Sequence, residues 1–114
     1  RLFMLAALHR MRRSADFQRV RRNGKKVVMA GLIMHVYTGM YPGRATQVGL
    51  TVGKDCGNSV QRHRTSRRIR AAIRPVVPKL PPGTGVVVKA LPEIHAVVLD
   101  SHLITESVLT KMKP

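Results

Sequence analysis

Apolar and polar positions alternate along this chain with two periods, about two residues in some stretches and between three and four in others. Residues 25–37, KKVVMAGLIMHVY, are rich in β-branched and apolar groups and read as strand, and 47–53, QVGLTVG, alternates with the two-residue rhythm of a half-buried strand. Gly31 interrupts the first run, which predicts one bent strand or two strands in succession. The short loop TGMYPGRAT, turning at Tyr41-Pro42-Gly43, predicts a tight hairpin between that run and the next. VVVKA, 86–90, is nearly continuous in its apolar character and belongs in the middle of a sheet.

Helical spacing appears in three places. Ser14 and Asp16 suit a helix start, the first as a cap and the second as a complement to the dipole, with Phe17 and Val20 on one side. A second helix begins near Asn58 or Ser59 and ends by Arg74, because Pro75 and Pro78 cannot continue the amide ladder. A third is capped by Asp100 or Ser101 and carries Leu103, Ser107 or Val108, and Met112 at helical intervals. Residues 93–99 fit strand or helix equally. The order predicts an α+β fold, a two-layer α/β sandwich with a mixed sheet of about four strands packed by about three helices. Residues 1–13 read as a basic and apolar N-terminal arm, and 14–114 as a single domain. The apolar stretch LFMLAAL within the arm is too short to span a bilayer.

Charge then changes the picture. In 114 residues there are 21 Lys and Arg against five acids, for a net charge of +16. Such a chain repels itself until a polyanion neutralises it, and phosphate backbones are the commonest polyanions. On a wheel of roughly 100° per residue, Thr65, Ile69, Ala72 and Ile73 fall on one side of the second helix. Arg64, Arg67, Arg68, Arg70 and Arg74 fall on the other, and no acid lies between Asn58 and Arg74. An ordinary solvated face mixes its charges in i,i+4 pairs. An all-arginine face suits bidentate phosphate contacts and stacking on bases. Arg62 lies on the apolar side but in the first turn, where its stem can reach outward. Lys54 and the amides at the helix start extend the same surface. Arg12, Arg13, Arg19, Arg21, Arg22, Lys25 and Lys26 make a second basic zone.

The five acids are widely spaced, the five histidines have no paired spacing, and Cys56 is alone, so no catalytic residue and no protein-held metal is assigned. The lone cysteine also fits a reducing, cytoplasmic setting.

The stretch GLTVGKDCGNSVQRHRTSRRIRAAIR resembles the signature of the bacterial ribonuclease P protein subunit: a strand, a basic pair, a Gly-Asn-Ala-Val turn and an Arg-Asn-Arg helix. RMRRSADFQRVRRNGKKV resembles that family's opening helix, and GVVVKA with the last helix sits where its final strand and helix do. His63 stands where the family usually has Asn, and Arg21 and His35 where relatives often carry aromatics. The resemblance implies a left-handed strand-helix-strand crossover containing the basic helix, where a right-handed one is the general rule. It implies an accessory subunit whose partner RNA performs the chemistry, removing the 5′ leader of precursor tRNA with Mg²⁺ held mainly by RNA. It implies catalytic-RNA binding by Lys54, Asn58, Arg62, His63, Arg64, Arg67, Arg68 and Arg70. It implies leader binding by Arg12, Arg13, Phe17, Arg21 and His35, with a monomeric protein in the complex. The alternative on the same charge is a ribosomal protein or RNA chaperone with no leader site. A membrane-active cationic protein is disfavoured by the proline-rich, strand-containing body.

Overall fold

The computed structural model describes residues 8–113. Residues 1–7 of the arm, with most of its apolar stretch, lie outside them. In chain order the elements are β1 (His9–Arg10), α1 (Ser14–Asn23), β2 (Lys25–Met29), β3 (Leu32–Tyr37), β4 (Gln47–Thr51), α2 (Ser59–Ile73), β5 (Gly85–Ala90) and α3 (Ser101–Met112). Short 3₁₀ turns cover Lys54–Cys56, Val77–Lys79 and Pro92–Ala96. None of the described helices is long and apolar enough to cross a membrane.

The fold is α+β, and its mixed sheet has the order β1-β4-β5-β3-β2, one strand more than expected. The extra strand is the two-residue β1, which pairs parallel with Gln47 and Val48 and belongs to the segment read as an arm. Residues 25–37 form two strands joined at Gly31, whose φ of 78° suits the hairpin turn. The hairpin expected between β3 and β4 is absent. β5 lies between them, antiparallel to β3 and parallel to β4. A strand with Val86, Val87 and Val88 all fully buried is more stable at the centre than at an edge, and that burial outweighs the short β3–β4 loop. The parallel neighbours β4 and β5 are therefore joined through α2, as a strand-helix-strand unit.

Strand alternation divides the core. Leu32, Met34 and Val36 of β3, Val48 of β4 and Val86, Val88 and Ala90 of β5 face Ile69, Ala72 and Ile73 of α2 and Ile104 and Val108 of α3. On the opposite face Val87 meets Val20 of α1, with Met11, Met40 and Tyr41. The helices thus occupy both faces of the sheet, α1 alone on one. Leu103 does not join the α3 stripe: it is exposed, and Ile104 takes the buried position. Residues 93–99 settle as a 3₁₀ turn followed by extended chain outside the sheet.

Candidate nucleic-acid interface

The basic helix is held at its start and along one side. Asn58 caps α2, its side-chain oxygen accepting from the Gln61 amide at 2.9 Å while the Gln61 side chain accepts from the Asn58 amide at 2.9 Å. This capping box starts the helix where the sequence breaks. Thr65, Ile69, Ala72 and Ile73 are buried, so the opposite side must face outward.

There the arginines separate into two kinds. Arg64, Arg67 and Arg74 are exposed, with His63 beside them and Lys54 in the preceding turn. No described arginine is paired with a carboxylate; the single described ion pair joins His102 to Glu106. Arg68 and Arg70 are half-buried. The Arg68 guanidinium donates to the carbonyl oxygens of Ile94, at 3.1 Å, and Val97. Its place on the outward arc is thus partly a structural one, tying α2 to the segment after β5. Arg70 reaches the β4 side, lining a small cavity with Leu8, Arg10, Met11, Phe17, Val48 and Leu50. Burial first, and Arg10 second, lower its proton affinity below the guanidinium norm. Arg62 is half-buried and its Nε finds no partner. Asn58 is committed to the cap through its oxygen.

The second surface is the sheet face that α1 leaves open. Cross-strand register places Lys26, His35, Val87 and Gly49 in one row and Val28, Ile33, Lys89 and Thr51 in the next. Val87 is buried beneath α1, whereas Lys26, Val28 and Lys89 are exposed and Ile33, His35 and Thr51 half-exposed. Phe17 lies over Gly49: a Cβ there would stand 2.5 Å from the ring's Cζ, so only glycine admits the ring this close. Arg21 sits 5.7 Å from the Phe17 centroid and donates to the Thr51 hydroxyl at 3.0 Å. Phe17, Arg21 and His35 therefore share one face. His35 titrates below its usual value because burial disfavours the cation, with Lys26 and then Arg21 adding repulsion. Lys89 and Thr51 were not anticipated. Their signal was the two-residue rhythm itself, since Lys89 is the charged position in an otherwise apolar β5.

Arg12 and Arg13 are elsewhere. With Arg10, Arg44, Asp16, Tyr41 and Gln47 they line a separate cavity at the start of α1. Ser14 does not cap that helix. Arg13 takes the cap position and offers no side-chain bond to the first amides. Among the described residues no three His, Cys, Asp or Glu side chains gather as a metal site.

The chain is thus a strongly basic α+β domain, with an arginine-bearing helix in its crossover and an open cationic sheet face beside an aromatic ring. The match to known families narrows this: residues 5–112 fit the Ribonuclease P family model, and the chain belongs to that family. It is 39% identical over 89 residues to the Ribonuclease P protein component of Mycobacterium tuberculosis, covering 78% of this chain and 75% of that protein. With the Mycobacterium ulcerans counterpart it shares 40% over 91 residues, covering 78% and 76%. Among solved structures it resembles the RNase P protein of Staphylococcus aureus, with a TM-score of 0.68, 22% identity and coverage of 93% and 94%. For the Thermotoga maritima RNase P protein the values are 0.66, 21%, and 90% and 93%.

Proposed function

We propose that this chain is the RNA-binding protein subunit of ribonuclease P, assisting a catalytic RNA in the endonucleolytic removal of the 5′ leader from precursor tRNA. The observation that carries the reading is α2: one side is sealed into the core while Arg64, Arg67 and Arg74 face outward, unpaired with any described carboxylate. That face docks on folded RNA, with Lys54, His63 and the partly engaged Arg62, Arg68 and Arg70 at its margins. The open sheet face takes the single-stranded leader. There the Phe17–Arg21 stack offers a plane to an unpaired base, worth ~1–3 kcal/mol, and Lys26, Lys89 and His35 line the strand's path.

The protein's share of the work is binding. Among the described residues, none with the spacing of a metal or acid-base site gather on either surface, and this reading leaves Mg²⁺ and bond cleavage with the RNA. One copy of the chain per complex, acting in the cytoplasm, completes the proposal.

The test combines the protein with a ribonuclease P-type RNA and precursor tRNA at low Mg²⁺. Leader release in the mixture, and in neither component alone, is the expected result. Affinity for precursor tRNA in the complex should exceed that for leaderless tRNA, and Phe17→Ala should remove the difference; equal affinities in the unaltered protein would indicate an RNA chaperone instead. Arg64→Ala and Arg67→Ala should each lower the salt slope of RNA binding by about one. An unchanged slope in both would exclude α2 as the docking face.

A further inference from the structure

The cavity at the start of α1 is not used by either RNA surface, and its chemistry differs from theirs. Its volume is about 340 Å³, near the lower end of ligand pockets. Arg10, Arg12, Arg13 and Arg44 line it, opposed by Asp16 as the one acid. That acid is already engaged, because the Tyr41 hydroxyl donates to Asp16 Oδ2 at 3.2 Å. Burial and the neighbouring Asp16 push the Tyr41 phenol up to about 12, so it remains a neutral donor. Arg44 lies 5.9 Å from the Tyr41 ring centroid.

The walls are set by the backbone. Tyr41 N donates to Gly83 O at 2.8 Å, Gln47 N to Thr84 O at 3.0 Å, and Arg44 N to Tyr41 O at 3.0 Å. Thr84 N donates to Thr46 Oγ1 at 3.1 Å, closing the loop onto the connector before β5. Gly83 has a φ of 78° and lies so close to the Tyr41 carbonyl that no side chain fits between them. Loop 38–46 therefore presents Tyr41 and Arg44 from a fixed frame, against arginines that flank β1 and α1.

Four guanidiniums and one occupied carboxylate leave an excess of three positive charges. A backbone phosphodiester carries a single negative charge and would balance only part of that excess. A terminal or condensed phosphate carries several charges and many acceptor oxygens, and forked guanidiniums match it bidentately. We propose that this cavity binds a multiply charged phosphate group, supplied either by the 5′ end of an RNA or by a free polyphosphate. The RNA-end source rests on the strand-binding reading above; the polyphosphate source does not.

The test uses the full chain with inorganic tripolyphosphate and two short single-stranded RNAs of one sequence, one 5′-triphosphorylated and one ending in a 5′-hydroxyl. The three arginines other than Arg10 are replaced by Gln in pairs, beginning with Arg12→Gln with Arg44→Gln; both positions are exposed, so the fold should survive. The pair should bind tripolyphosphate roughly tenfold more weakly than the unaltered protein, while Arg67→Gln on α2 should change it by less than about twofold. A preference for the triphosphorylated RNA, erased in the pair, identifies an RNA end as the source. Loss of tripolyphosphate binding in the pair, with the binding of both RNAs unchanged, identifies a free polyphosphate. Unchanged tripolyphosphate binding in the pair, or an equal loss in Arg67→Gln, would overturn the site. Equal losses for both RNAs would do so too, by assigning the cavity to backbone diesters. None of these outcomes depends on the salt slope of α2, which tests the other reading separately.

Discussion

At Gly49 one missing methyl decides what the sheet face can hold. Phe17 lies where a side chain on β4 would stand, so Gly49→Ala must displace the ring. The expected cost is about 1–3 kcal/mol, read as a lower thermal midpoint, together with weaker single-stranded RNA binding than the destabilisation alone explains. His35, in the neighbouring strand pair, gives a pH signature. Its folded-state proton affinity lies below the ordinary value of 6.5, so the unfolded chain protonates first as pH falls through that value. Stability should therefore decline below about pH 6.5, and His35→Gln should flatten this part of the curve. On the proposed reading, a phosphate bound on this face would offset the repulsion from Lys26 and Arg21. RNA should thus raise the His35 titration midpoint, a shift that ring-proton NMR can follow.

At the scale of elements, the arginines of α2 divide between an exposed face and an internal tie. Arg68 fastens the turn after β5, and His95 Nε2 lies 2.6 Å from the Cys56 carbonyl oxygen to hold the same turn against the 3₁₀ turn before α2. Arg68→Lys keeps the charge but loses the fork that spans two carbonyls. It should cost about 1–3 kcal/mol and speed amide exchange around residues 94–97, with a smaller effect on RNA affinity than Arg67→Ala. The wheel that sorted the arginines was right about which side is buried. It held no information on Arg68, because periodicity describes a helix alone and the acceptor carbonyls come from 26 and 29 residues away. Strand rhythm likewise located β2 to β5, while their order was invisible: loop length favoured pairing β3 with β4, and the burial of Val86, Val87 and Val88 overrode it. Phe17, Arg21 and His35 were grouped only by the family resemblance, since periodicity places Phe17 with Val20 and is silent on His35; it is the packing of α1 over Gly49 that brings the three to one face. Arg12 and Arg13 were not separable from them by sequence, since β1 and loop 38–46 draw those two aside through contacts distant along the chain.

For the whole molecule, a charge of +16 on a body with a 13.4 Å radius of gyration stores repulsion that anions relieve. Ligands that bind only the folded form stabilise it by about 2.7 kcal/mol at a hundredfold excess over Kd. Tripolyphosphate or RNA at such an excess should therefore raise the thermal midpoint well above that in sodium chloride of equal ionic strength. Equal midpoints would mean that screening, not binding, relieves the strain.

The central position of β5 also has a consequence in time. The ribosome makes β3 and β4 early, yet each must wait for residues 85–90 before it gains its main neighbour. Until then β2 and β3 can form only a lone hairpin, a marginal structure in water, and β4 has only the two-residue β1 beside it. The domain should accordingly fold late in translation and slowly for its size, since its central pairings join distant parts of the chain. A nascent chain arrested before Gly85 would expose unpaired strands rather than a partly built domain, and protease sensitivity of stalled chains should fall sharply only after β5 has emerged.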